Sequence, residues 1–197
     1  MFNFKLWAAT AALVTMASAA QAVPMVYTLQ VNASGQLNGT SFTNTAVSVT
    51  VTGESAVSYQ PCWFCHLVLA DTTLVEVAGV GSDSFANPIT AVGNFVDGYL
   101  GFGEPVSDYG MVFIGHPAAL GYMMQTPLGP VSGEASGNPG YAFATLGGSF
   151  TFASFDSEGT FLAAAAPVPE PGTWLLMLGG VAALVQRRMA GRTDGGF

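Results

Sequence analysis

Ala46-Val47-Ser48-Val49-Thr50-Val51-Thr52 decides the fold class. Valine alternates with small polar residues at a period of two, which gives one apolar and one hydroxylated face, the pattern of a half-buried strand. The same alternation, or a short apolar run rich in β-branched and aromatic residues, recurs at Val26–Val31, Leu67–Leu69, Thr73–Val77, Met111–Ile114, Tyr141–Thr145 and Phe150–Phe155. Helical spacing is nowhere sustained between these runs. Turn formers punctuate them at Asn32–Gly35, Asn38-Gly39, Gly81–Asp83, Asn87-Pro88, Asn138-Pro139 and Gly147-Gly148. Residues 23–166 amount to one domain's length. Strands of about six residues with frequent turns predict an all-β domain, an antiparallel β-sandwich or jelly roll.

Composition narrows the function. The 197 residues include 12 Asp+Glu against 4 Lys+Arg, a formal net charge of −8. The four cations are Lys5, Arg187, Arg188 and Arg192, so residues 6–186 contain no Lys or Arg. Such a domain has no basic surface for nucleic acid and no cationic clamp for phosphate or carboxylate substrates. With two Cys and two His in the chain, a tetrahedral zinc site would need carboxylates to complete it, and no metal site is expected.

Both ends carry targeting patterns. Lys5, the apolar stretch from Leu6 to Ala20, and Ala20-Gln21-Ala22 before Val23 form a secretory signal peptide, residues 1–22, cut by signal peptidase after Ala22, with a cut after Ala19 as the alternative. At the other end, Val168-Pro169-Glu170-Pro171 precedes an apolar run, Trp174 to Val185, and then Arg187-Arg188. The prolines bar helix at and before themselves, so a helix can start only after them. The apolar run is about 18 Å long as a helix, against a hydrocarbon core of about 30 Å, a length suited to temporary residence in a membrane. The arginines orient it with residues 189–197 as a cytoplasmic tail and the domain outside.

This tripartite end, residues 167–188, resembles the sorting signal of PEP-CTERM proteins, the exosortase substrates of Gram-negative bacteria. The resemblance implies that exosortase, a membrane-embedded cysteine peptidase, cuts near Pro169-Glu170-Pro171. The inner membrane is then a transient station, and the destination is the outer envelope, cell surface or extracellular matrix. The interior is more loosely similar to a recurrent group of such substrates at Gly39–Asn44, Val77–Gly81, Leu128–Gly133 and Gly148–Phe152 leading to Gly159–Phe161; that likeness implies a β fold and export and adds no chemistry.

Inside the domain one pattern has a named chemistry. Cys62-Trp63-Phe64-Cys65-His66 satisfies Cys-x-x-Cys-His, the attachment pattern of c-type haem, with Met111, His116, Met123 and Met124 as candidates for the sixth iron ligand. Against haem stand the brevity of the pattern and its place just before a strand, with no helices to enclose a porphyrin. The competing expectation is a disulfide between Cys62 and Cys65, because a cysteine pair in an oxidising compartment normally closes. Asp156-Ser157-Glu158 and Ser82-Asp83-Ser84 offer oxygen ligands for calcium but form no calcium loop, so solvated surface charge is expected there. No nucleophile elbow is present, and no catalytic residue is assigned. Trp63, Phe64, Tyr99, Phe102, Tyr109, Phe113 and Tyr122 are expected in the core, the alternative being a sugar-stacking face for exopolysaccharide. The expectation is therefore a non-enzymatic, exported surface or biofilm-matrix protein, with a haem electron carrier or a carbohydrate-binding protein as alternatives.

Overall fold

The structure is a computed structural model and describes residues 24–55, 59–105 and 110–167, with backbone only at 59–62. Twelve strands account for most of it: β1 (Pro24–Leu37), β2 (Thr40–Glu54), β3 (Tyr59–Cys62), β4 (Cys65–Leu69), β5 (Thr72–Val77), β6 (Gly81–Asp83), β7 (Thr90–Asn94), β8 (Tyr99–Gly103), β9 (Gly110–Gly115), β10 (Leu128–Gly137), β11 (Ala142–Thr145) and β12 (Gly148–Ala165). A 3-10 turn, Pro117–Ala119, lies between β9 and β10. All ladders are antiparallel, as the valine alternation requires. The strands form one hydrogen-bonded path, β3-β4-β7-β8-β9-β10-β12-β1-β2-β5-β6, with β11 added on β12.

The path curls because a single stretch of chain serves both of its ends. β4 pairs with β7 and β5 with β2, yet only Ala70 and Asp71 separate them. The Asp71 N–H donates to the Thr52 carbonyl at 2.7 Å, which pins the bend against β2. Sandwich-like facing of the two halves follows, and the inner side chains close one core. Val47, Val49 and Val51, every second residue of the opening motif, are at most 1% exposed. They share one buried cluster with Tyr27 and Leu29 of β1, Val75 and Val77 of β5, Phe161 of β12 and, from the other half of the path, Phe102 of β8. Each fully buried side chain of this size stabilises the fold by about 1.5–3 kcal/mol relative to exposure.

Strand lengths depart from the expected six residues: β1, β2 and β12 have 14, 15 and 18. The turn chemistry at Asn32–Gly35 does not turn the chain. It is absorbed by bulges, with register shifts between Val31 and Ala33 and between Ser34 and Gly35, which bend a long strand without ending it. Gly81–Asp83, read as a turn, is the short strand β6. Asn38-Gly39, with φ of 51° and 80°, makes the β1–β2 hairpin turn its sequence calls for.

That hairpin is tied to its neighbours by one carboxylate. Asp83 Oδ2 accepts from Asn38 Nδ2 at 2.7 Å and from the Gly147 N–H at 2.8 Å, and Oδ1 accepts from the Ser84 N–H at 2.8 Å. Thr145 Oγ1 donates to Asn38 Oδ1 at 2.7 Å, so the β1–β2 turn, β6 and the β11–β12 turn share one knot. The Asn38 hydrogen bond first, then the backbone donors, hold the Asp83 carboxyl below the usual carboxylate range. A depressed pKa means stability that is present above the unfolded value of about 3.9 and is lost as pH falls below it. Asp83→Ala should therefore lower the melting temperature at pH 7, and the gap from the wild type should narrow as pH falls below about 3.9.

Glycines allow the tightest approaches. A Cβ on Gly133 would sit 2.0 Å from the Gly115 carbonyl oxygen, a backbone atom that cannot swing aside, whereas one on Gly39 would meet nothing within 4 Å. Gly133→Ala should thus destabilise by about 1–3 kcal/mol or more, as overpacking does. Thermal melts of the two alanine variants check this: Gly39→Ala should cost only the backbone strain of a positive φ, about 1–2 kcal/mol.

Candidate functional site

The Cys-x-x-Cys-His pattern lies on a hairpin. β2 pairs with β5 and, further along the chain, β3 pairs with β4, with Trp63-Phe64 at the turn between β3 and β4. Cys62 and Cys65 face each other across the last rung before that turn. Cys65 is disulfide-bonded, and the chain's other cysteine is Cys62. Strand geometry then turns the neighbouring His66 to the opposite face.

That face is the core. His66 is cross-strand from Gly93, Gly93 from Leu100, and Leu100 from Ile114, and paired residues point to the same side of a sheet. Leu100 and Ile114 are fully buried, and His66 is 9% exposed. Its ring packs on Phe95 at a centroid distance of 5.5 Å, and among the described residues neither ring nitrogen has a hydrogen-bond partner. A porphyrin bonded to both sulfurs would need Cys65 as a free thiol and the His66 ring turned out of the core. The arrangement fits a disulfide-closed turn.

The segment between β9 and β10 caps this end of the core. Met124 and Ala119 are buried, and a Cβ on Gly93 would lie 3.0 Å from Met124 Cγ and Sδ. Tyr27 Oη donates to the Met124 carbonyl at 2.6 Å. Burial pushes the Tyr27 hydroxyl pKa up, with Tyr122 adding to it, and burial lifts Tyr122 to about 12. Both phenols thus remain protonated donors, Tyr122 to the Thr126 carbonyl.

The other candidates are dispersed. Met111 is buried in β9, Met123 is 43% exposed, and His116 is half-buried with Nδ1 accepting from the Ala118 N–H at 3.0 Å. Among the described residues no group of three or more His, Cys, Asp or Glu could hold a metal ion. Asp156, Ser157 and Glu158 line an open groove of about 700 Å³ on the outer face, with Gln30, Ser48 and Glu76. Among the aromatic residues, Phe102 and Tyr122 are buried as expected, and Phe113 is half-buried. Trp63, Phe64 and Tyr99 are corrections, at 76%, 36% and 43% exposure, because the first two occupy a hairpin tip and Tyr99 starts a strand on the outward face. Tyr109 lies outside the described residues, as do Ala20, Ala22, Val168, Pro169, Glu170, Pro171, Arg187 and Arg188.

The chain divides into two units, residues 1–166 and 167–197, and the last hydrogen bond of the β domain runs from the Ala166 N–H to the Pro24 carbonyl at 2.7 Å. Immediately beyond it, residues 167–189 match the PEP-CTERM protein-sorting motif. The chain carries a PEP-CTERM sorting signal. That motif implies processing by exosortase and export to the cell envelope or surface. Comparisons with curated proteins and with solved structures give no match for the chain. Among the described residues no helix is long and apolar enough to cross a membrane; Trp174–Val185 lies outside them.

The unpartnered imidazole of His66 should act against stability, since a buried donor or acceptor left unpaired costs about 1–3 kcal/mol. His66→Leu, measured by chemical denaturation of the oxidised protein, should leave stability unchanged or raise it. A marked fall would show that a ligand or water occupies the ring nitrogens.

Proposed function

We propose that this is a non-enzymatic, exported cell-surface or extracellular-matrix protein, biofilm-associated, that works as a sorted β domain. The observation that carries the reading is the sorting motif at residues 167–189, which begins one residue after the last hydrogen bond of a domain with its own closed core. A peptidase cutting near Pro169-Glu170-Pro171 would sever nothing that holds that core together. In this reading the signal peptide, residues 1–22, is removed by signal peptidase. The inner membrane of a Gram-negative cell holds the apolar run Trp174–Val185 transiently, and Arg187 and Arg188 keep the tail on the cytoplasmic side. Exosortase then frees the domain to the outer envelope or matrix.

The domain's chemistry agrees with a structural role. Residues 6–186 contain no Lys or Arg, and so low a charge suits a domain that works by packing and adhesion. The disulfide at the hairpin tip suits an oxidising destination, and its short loop adds about 2 kcal/mol or less. Exopolysaccharide is the matrix partner we propose. The groove lined by Gln30, Ser48, Glu76 and Glu158 supports this, with amide, hydroxyl and carboxylate groups suited to sugar hydroxyls.

Intact mass of the protein recovered from the producing cell's envelope and medium tests the reading. The expected mass starts at Val23, ends near Pro169 and is two hydrogens lighter than the reduced chain. A mass that retains Arg187 and Arg188 in the final location overturns sorting, and a haem increment moves the protein to electron transfer.

A further inference from the structure

Three loops meet at the end of the domain where β1 starts and β12 stops. A chain of hydrogen bonds connects them. Tyr27, three residues into β1, holds the β9–β10 segment at the Met124 carbonyl; in that segment the Gly121 N–H donates to the Phe95 carbonyl at 3.0 Å; and the Phe95 N–H donates to the Phe64 carbonyl at 3.2 Å. From these loops large apolar side chains project into solvent: Trp63 at 76%, Leu120 at 56%, Val96 at 44%, Met123 at 43% and Phe64 at 36% exposure. Trp63 and Phe64 meet edge to face, with ring centroids 5.4 Å apart. Scattered apolar residues on a surface need no explanation, but five on three bonded loops at one end mark a surface with a partner.

The reach of the chain says what that partner is. The same end releases the C-terminal strand, since Ala166 is bonded to Pro24. The apolar run begins at Trp174, and residues 167–173 can span at most about 25 Å. While that run is in lipid, Ala166, the exit of the β domain, is held within that distance of the bilayer surface, on the side of the domain whose loops Tyr27 ties together.

We infer that Trp63, Phe64, Val96, Leu120 and Met123 form a membrane-docking face that inserts into the outer leaflet of the bilayer holding the sorting segment. The inference rests on the transient membrane residence proposed above. Tryptophan and its apolar neighbours suit the interface, where one side of the ring is greasy and the indole N–H stays wet. The attraction is apolar: the domain has no Lys or Arg, and Asp97, in the β7–β8 turn, would be repelled by anionic headgroups. Docking would hold the domain against the membrane until the chain is cut, and the freed domain would have only this shallow contact to keep it there.

The tryptophans make the test direct, because the chain has three, Trp7, Trp63 and Trp174. The full chain is prepared as two variants, W7F with W174F to leave Trp63, and W7F with W63F to leave Trp174. Each is reconstituted in phosphatidylcholine vesicles with bromine on the acyl chains. Both indoles should be quenched, and Trp63 quenching should persist when salt is raised, as screening does not weaken apolar contact. Adding V96D and L120D to the Trp63 variant should abolish most of its quenching while circular dichroism stays unchanged. Quenching of Trp174 with Trp63 open to acrylamide overturns docking and leaves the membrane intermediate standing. Absence of Trp174 quenching overturns both. Protection of Trp63 from acrylamide and from bromolipid alike shows the face covered by a second copy, and that also overturns docking.

Discussion

Much of this domain depends on two residues, Ala70 and Asp71, at which one stretch of chain leaves β7 and joins β2. That switch joins β4, which pairs with β7, to β5, which pairs with β2, and so brings the two halves of the path around one core. The hydrogen bond from Asp71 to Thr52 fixes the angle of the bend, and the bend decides which side chains face each other across the core. The edges that remain, β3 and β6, are only four and three residues long, and short edge strands give other chains little to pair with.

The two ends of the curled sheet are finished in opposite ways. At one, a carboxylate gathers three turns through polar bonds: Asp83 with Asn38, Ser84 and Gly147. At the other, closure is apolar, with Met124 and His66 buried and two tyrosine hydroxyls bonded to carbonyls of the capping segment. The polar end depends on pH through Asp83. The apolar end carries the disulfide, the exposed tryptophan and both chain exits.

The sequence made legible whatever depends on local chemistry. Alternation at Ala46–Thr52 placed β2, and Asn38-Gly39 placed its turn, because an αL pair demands those residues. It hid what depends on distant neighbours. β8 and β10 are rich in glycine, as in Tyr99-Leu100-Gly101-Phe102-Gly103, and glycine reads as a loop until a close-packed neighbour explains it; Gly101 has the Val112 carbonyl where a Cβ would stand. Asn32–Gly35 reads as a turn because bulges and turns use the same residues. At the site, the cysteine pair was visible from spacing alone. The inward face of His66 became visible only with the ladder, since facing depends on register and not on composition. The exposure of Trp63 was concealed by the usual role of aromatic residues in small sandwich cores. The sorting motif was fully legible, being a linear signal.

The bond between Ala166 and Pro24 has a mechanical meaning as well. β1 and β12 are antiparallel neighbours that enter and leave the domain at the same end. A pull between the two chain ends would open their ladder one rung at a time, as a zipper, and meet little resistance. A pull between the C-terminal exit and the far turns at Asn38 and Gly147 would load the long strands lengthwise, in shear, with many rungs sharing the force. A domain held at its C-terminal exit and gripped at its far end would thus bear tension in its strong direction.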